Sequence, residues 1–254
     1  MNLPFVEKYR PSSLDQIISQ TDIISTIDKF IKAESLPHLL FYGTAGTGKS
    51  TMAINIARRI YEKNMASFVL ELNASDDRGI DVVRNQIKEF SQTKSLGNKH
   101  KLIILDEADH LTNVAQGALR RIIEKYTSNV RFIIICNFAN KIIPALQSRC
   151  TRFRFAPLDS KDIKIKVREV CMAENIKIPE NAVDALIKIS NGDMRCILNI
   201  LQGLSIRNKE IQINDVYEMM GLPSEANLQS ILKFIFNEPF SVAYQGTLYS
   251  FRSL

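Results

Sequence analysis

The residues best placed to do chemistry lie in one short stretch, Gly43-Thr44-Ala45-Gly46-Thr47-Gly48-Lys49-Ser50, with Thr51 directly after it. The spacing matches the phosphate-binding pattern Gly-x4-Gly-Lys-Ser/Thr. Glycines there let backbone N–H groups turn inward onto phosphate oxygens, and a helix N-terminus adds favourable partial charge. Lys49 is placed to reach the β- and γ-phosphates, and the Ser50 hydroxyl to ligate magnesium. A glycine turn that only caps a helix uses the same residue types. Here an apolar run, His38–Tyr42, precedes the loop and a helical pattern, Met52–Tyr61, follows it, which is the context phosphate binding requires. The expected ligand is a nucleoside triphosphate, ATP, with Mg2+.

A second element is Leu102-Ile103-Ile104-Leu105-Asp106-Glu107-Ala108-Asp109. A buried strand ending in two carboxylates sets Asp106 at the magnesium shell and leaves Glu107 to polarise an attacking water. Phosphoryl transfer rests on positioning and charge stabilisation, so hydrolysis needs both. Read alone, an apolar run followed by acids is a common strand end. Downstream of the loop, with another strand between them, it corroborates an ATPase.

These groups need a scaffold. Residues 22–33 repeat apolar side chains at helical spacing (Ile23, Ile24, Ile27, Phe30, Ile31). Short, nearly continuous apolar runs recur at 38–42, 67–72, 102–105 and 132–136, with helical patterns at 81–92 and 114–126 between them. Such runs fit strands buried on both faces of a parallel sheet, hence an α/β layered fold. From Ser160 to Met220 the texture is helical, with segments at 160–175, 180–190, 193–206 and 214–220 and a short strand-like stretch at Glu210–Ile213. Pro223 then precedes a helix over 227–236, and 239–254 has no clear period. The domains expected are a nucleotide-binding α/β domain over 1–156, a helical lid over 157–222 and a partial helical collar over 223–254.

Bulk properties agree. The 254 residues are 45% apolar and 24% charged, enough to bury a sizeable core. Lys and Arg outnumber Asp and Glu by 33 to 27, a charge of +6 that suits a polyanion partner or simply a basic surface. Cys136, Cys150, Cys171 and Cys196 have neither metal-ligand nor redox-pair spacing, and His38, His100 and His110 form no local cluster. The N-terminal residues lack a signal-peptide pattern, and no apolar run approaches the ~20 residues that span a bilayer. The expectation is a soluble, intracellular protein with no membrane partner.

Several further segments carry a resemblance. Val6-Glu7-Lys8-Tyr9-Arg10-Pro11, Leu36–Gly43, Glu71-Leu72-Asn73-Ala74-Ser75-Asp76-Asp77-Arg78-Gly79-Ile80-Asp81, Asp106–Asp109, Ser148-Arg149-Cys150 and Asn191-Gly192-Asp193-Met194-Arg195 run in order over roughly residues 3–222. Together they resemble the small subunits of replication factor C, AAA+ sliding-clamp loaders, and residues 71–88 resemble the eukaryotic type. The Ser-Arg-Cys and Asn-Ala-Ser-Asp-Asp-Arg-Gly stretches are far more specific than the phosphate loop.

The resemblance implies roles that the residues alone do not. Asn137 is similar to the polar sensor that orients the attacking water, although a strand-end turn would also use asparagine. Arg195 is similar to the lid arginine that touches the phosphates, although a surface helix arginine reads the same way. Arg149 resembles an arginine finger supplied in trans to a neighbouring subunit's ATP, where it stabilises transition-state charge. Val6, Arg10 and Pro11 resemble residues packing around adenine, and Asn73 one that restrains Glu107 until DNA binds. The face bearing Arg84 and Lys88, with Arg78 and Lys141 as weaker members, resembles one that follows the duplex phosphate backbone without reading sequence. A solvated basic helix face fits Arg84 and Lys88 equally well. The clamp face is expected near Phe90–Lys99.

The implied function is ATP-driven loading of a sliding clamp onto primer–template DNA during replication and repair, in the nucleus, within a hetero-pentamer of loader subunits. Alternatives are a non-catalytic assembly subunit of that complex or another AAA+ DNA remodeller. Thr44-Ala45 stands where the family usually has two prolines, and Cys196 where a second arginine is common. The collar, beginning near Pro223, is expected to be truncated.

Overall fold

The protein is described by a computed structural model covering residues 3–75, 80–93 and 100–252. In chain order the elements are α1 (Phe5–Lys8), α2 (Thr21–Lys32), β1 (Leu39–Gly43), α3 (Lys49–Tyr61), α4 (Met65–Phe68), β2 (Val69–Asn73), α5 (Ile80–Gln92), β3 (Lys101–Asp106), α6 (Asn113–Tyr126), β4 (Val130–Cys136), α7 (Pro144–Gln147) and β5 (Thr151–Phe155). There follow α8 (Ser160–Ala173), α9 (Glu180–Ser190), α10 (Met194–Arg207), α11 (Ile213–Met219), α12 (Glu225–Asn237) and α13 (Phe240–Arg252). The chain forms two compact units, Arg10–Asp159 and the described part of Met1–Tyr9 with Ser160–Leu254.

The first unit is a parallel sheet in the order β2-β3-β4-β1-β5. Parallel strands need crossovers, which the helices supply and thereby cover both faces. Side chains alternate between two cores. Leu39, Phe41, Leu102, Ile104, Ile133 and Ile135 join Ile27, Met52 and Ile56 on one face. Leu40, Ile103, Leu105, Phe132 and Ile134 join Leu119, Ile123, Ile142 and Leu146 on the other. Burial on both faces explains why β1, β3 and β4 read as continuous apolar runs. A buried Leu, Ile or Phe contributes roughly 1.5–3 kcal/mol.

Parallel register brings the strands' C-terminal ends to one edge. Asn73 stands opposite Asp106, and Tyr42 opposite Cys136. The order places β4 between the strand that ends in the phosphate loop and the strand that ends in Asp106. In such sheets ligands bind outside the carboxyl ends of the strands.

The second unit is helical. Ile163, Val167, Val170, Val183, Leu186, Ile197, Leu201, Leu204 and Val216 are buried within it. Phe5 is buried here too, its N–H donating to Gln202 Oε1 at 2.9 Å, while Lys8 Nζ and Tyr9 Oη both donate to Glu174 Oε1 at 2.6 Å. Residues 5–9 therefore group with the helical unit, not with the α/β unit expected over 1–156. α12 and α13 pack against each other and group with the same unit.

Other elements differ from the sequence reading. Residues 65–68 form α4, so β2 starts at Val69. β5 was unexpected. Its Thr-Arg-Phe-Arg-Phe sequence alternates exposed arginines with half-buried Thr151 and Phe153 and buried Phe155, because it lies at the sheet edge. Glu210–Ile213 makes no strand: Glu210 forms one isolated bridge with Lys177, and α11 starts at Ile213. The stretch without clear period is the helix α13.

Candidate nucleotide site

The phosphate loop joins β1 to α3 as its spacing predicts. Gly43 has φ 146°, and a Cβ built there would lie 2.1 Å from the Phe155 carbonyl oxygen, so β1 and β5 approach too closely for a side chain. Gly48, the residue before α3, has φ 95°, a conformation open to glycine and strained for other residues. Thr47 is buried and its hydroxyl donates to the Thr44 carbonyl at 2.9 Å, which tightens the loop from within. Thr44 and Ala45, at the positions of the family's prolines, are exposed.

Lys49 is a buried lysine. Its ammonium donates to the carbonyls of Gly43 at 2.9 Å and Thr44 at 2.7 Å. The cation is thus held over the loop, where phosphate oxygens would compete with neutral carbonyls for it. A phosphate oxygen carries full negative charge, so it offers the ammonium a Coulomb attraction that a neutral carbonyl lacks.

Ser50 and Asp106 meet across β4. The Ser50 hydroxyl donates to Asp106 Oδ2 at 2.5 Å, and Asp106 Oδ1 accepts the Glu107 N–H at 2.8 Å. One carboxylate therefore fixes both the first turn of α3 and the turn that follows β3. Glu107 takes the left-handed conformation, φ 53° and ψ 36°, which costs a non-glycine residue on the order of 1 kcal/mol. Strain of this kind persists where neighbours over-determine it.

A hydroxyl beside a single carboxylate suits Mg2+, which takes one or two protein oxygens and completes its shell with phosphate and water. Among the described residues no cluster of three or more His, Cys, Asp or Glu could hold a metal by protein ligands alone. The donor set fits magnesium delivered with a nucleotide.

Asn137 follows β4 at the same edge and is half-buried. Asn73 Oδ1 accepts from Ser75 N–H at 3.0 Å and Ser75 Oγ at 2.9 Å, which fixes the turn after β2. Behind the edge, burial pushes the Cys136 thiol up to about 12, with the Asp109 carboxylate adding to the effect and Lys49 opposing it. That thiol stays protonated and is no nucleophile at neutral pH.

The remaining site residues are distributed more widely. Arg10 Nε lies 3.4 Å from Thr51 Oγ1, and Asn55 Nδ2 donates to the Pro11 carbonyl at 3.1 Å, so both residues pack on α3. Val6 and Arg195 belong to the helical unit. Arg195 is exposed in the first turn of α10, which Asp193 caps by accepting the N–H groups of Arg195 and Cys196. Lys88 is exposed on α5, and Lys141 is exposed with its ammonium 5.1 Å from the Phe138 ring centre. Arg78, the Arg84 side chain and residues 94–99 of the expected clamp face lie outside the described residues.

Two helical residues escaped the sequence reading. Gln116, buried in α6, donates to the carbonyls of Leu111 and Lys141 and accepts the Ile143 N–H, tying α6 to the loop after Asn137. Glu124, two turns on, pairs with Arg149. Neither belongs to a local motif, so spacing alone could not have found them.

Residues 39–158 match the ATPase family associated with various cellular activities (AAA), and residues 160–218 match the RFC1-like AAA+ ATPase lid domain. Replication factor C subunit 3 of Saccharomyces cerevisiae is 51% identical over 249 residues, covering 96% of this chain and 73% of that protein. Human replication factor C subunit 5 is 49% identical over 247 residues, covering 96% and 73%. Among solved structures, the RuvB Holliday junction branch migration motor of Thermotoga maritima aligns with a TM-score of 0.66 at 17% identity, over 90% of this chain and 80% of that one. At that identity the likeness establishes the fold alone. With half of its residues shared with replication factor C subunits along nearly its whole length, the chain belongs to the eukaryotic replication factor C small-subunit family of AAA+ ATPases.

Proposed function

We propose that this chain is an ATP-binding and ATP-hydrolysing subunit of a clamp loader, the complex that opens a sliding clamp and places it on primed DNA in the nucleus. The observation that carries hydrolysis, beyond binding, is the Ser50–Asp106 contact with Glu107 next in the chain at the same sheet edge. The loop N–H groups and Lys49 bind the phosphates, Thr51 and the Arg10–Pro11 segment lie alongside, and Ser50 with Asp106 holds Mg2+. Bound there, Mg2+ would supply positive charge that neutralises the phosphates. Glu107 takes the proton of the attacking water and Asn137 orients that water. Arg195 is the helical unit's candidate phosphate ligand.

Arg149 serves a neighbouring subunit's site, so each complete site is shared between two chains. Lys88 and Arg84, with Arg78 and Lys141, follow the DNA backbone. Such contacts are independent of sequence and weaken with salt.

The deciding experiment combines purified chain with the other loader subunits and the clamp, with and without ATP. ATP-dependent co-purification with both is expected, with weak hydrolysis by the isolated chain and robust hydrolysis in the complex. Assembly without any effect of Glu107→Gln on hydrolysis would make the chain a non-catalytic assembly subunit. Robust turnover by the isolated monomer would remove the shared site. Unchanged primer–template affinity and salt slope in a loader carrying Arg84→Ala with Lys88→Ala would remove the DNA assignment.

A further inference from the structure

Arg149 does not hang free from its loop. Its Nη1 donates to the Ala145 carbonyl at 2.6 Å and lies 3.5 Å from Ser148 Oγ, while Nη2 pairs with Glu124 Oε1 on α6. Arg120 Nε approaches the same Glu124 oxygen at 3.8 Å. Two anchors from different elements therefore grip one edge of the guanidinium, a backbone carbonyl in α7 and a carboxylate in α6. A guanidinium carries five N–H donors, and among the described residues Nε meets no partner, nor does a second hydrogen on Nη2.

From this geometry we infer that Glu124 is a positioning residue for Arg149, holding the guanidinium in a fixed orientation so that its uncommitted donors face a neighbouring subunit's phosphates. The inference rests on the proposed trans role of Arg149. Arginine is rich in rotamers, and ordering it only at the moment of reaction would cost conformational entropy. A planar fork already held on one edge loses less per bond formed, which is the advantage of preorganised charge. The same pair contributes little to folding, because both side chains are about a third or more exposed, 35% and 42%. Its value lies in orientation.

The test is steady-state ATP hydrolysis by the assembled loader, with clamp and primed DNA, in a complex where only the site facing Arg149 keeps its phosphate-loop lysine. Arg149→Ala should lower kcat about 10³-fold. Glu124→Gln should lower kcat roughly five- to tenfold, with KM, complex assembly and melting temperature unchanged, because orientation is lost and the arginine remains. Glu124→Asp should recover part of that loss. In the double variant, Glu124→Gln should add nothing to the Arg149→Ala loss, since residues acting as one unit are not additive.

If Glu124→Gln leaves kcat unchanged while Arg149→Ala lowers it, the positioning role falls and the trans role stands. The positioning role falls too if the two losses multiply, or if Glu124→Gln raises kcat, which would make Glu124 a restraint. If Arg149→Ala has no effect, the trans role falls and takes the inference with it.

Discussion

At the N-terminal edge of the sheet, His38, Tyr61 and Arg131 bond to backbone groups, and Arg131 Nη2 lies 3.2 Å from His100 Nε2. His38 Nδ1 accepts the Phe132 N–H at 3.2 Å, Arg131 Nε donates to the Leu36 carbonyl at 2.7 Å, and Tyr61 Oη donates to the His100 carbonyl at 2.5 Å. At the C-terminal edge, Lys49 bonds the loop carbonyls of Gly43 and Thr44, Ser50 bonds Asp106, and Asp106 accepts the N–H of Glu107, a residue in a strained conformation. Both edges are polar. One has completed its hydrogen bonding within the chain, and the other holds groups that a triphosphate can take over. The contrast separates residues that stabilise from residues that react, and substitutions at the two edges should move different observables.

The largest expected effect is at the reacting edge. Glu107→Gln should slow ATP hydrolysis by the assembled complex about 10²- to 10³-fold, the range for removing a general base, while nucleotide affinity stays near wild type. Folding stability should hold, because the Glu107 backbone contact to Asp106 survives. Next comes Lys49→Ala. Losing two charge-assisted bonds should weaken ATP binding on the order of 10²-fold, measured by fluorescent-nucleotide titration, with melting temperature nearly unchanged. A large drop in stability from either variant would break the distinction between the edges.

How much of this was visible beforehand follows the same physics. Strands β1, β3 and β4 are buried on both faces, so their runs are apolar without interruption and stood out. β5 is an edge strand whose Arg152 and Arg154 alternate with phenylalanines, a pattern outside a search for continuous runs. α13 carries mixed aromatic and polar residues, and its helix rests on packing with α12, a tertiary effect without local period. The phosphate loop, Asp106 and Glu107 were legible because their chemistry is compressed into contiguous residues. That Ser50 touches Asp106 was not, since it depends on β4 lying between β3 and β1. Glu124 and Gln116 sit at ordinary helical positions, and only the fold brings them to Arg149 and to the loop after Asn137.

At the stabilising edge the prediction concerns acid. Burial, with Arg131 and His100 nearby, lowers the His38 pKa from 6.5 to about 4. As pH falls through 6.5 the unfolded chain takes a proton that the folded one refuses, so stability is present above 6.5 and is lost progressively toward 4. The loss from this group reaches about 3 kcal/mol. His38→Asn keeps an acceptor for the Phe132 N–H and removes the titration. Its denaturant midpoint should therefore depend less on pH between 6.5 and 4 than the wild type's, and ATP affinity at pH 7.5 should be unchanged.

The smallest effect tests the edge from the alkaline side. Tyr61→Phe deletes one hydrogen bond to the His100 carbonyl and keeps the ring stacked on Phe68, so it should cost about 1 kcal/mol at pH 7. Burial raises the Tyr61 pKa from 10.0 to about 12, and the unfolded chain therefore loses this proton first. The stability that Tyr61 contributes is complete below pH 10 and declines as pH rises toward 12. The gap between wild type and Tyr61→Phe should accordingly narrow from pH 9 to pH 11 in denaturant titrations. A gap that stayed constant would mean the hydroxyl is solvated in the folded protein, and the edge would no longer be the self-satisfied one. Nucleotide affinity serves as the control, because a group bonded only within the N-terminal edge has no path to the phosphates at the other end of the strands.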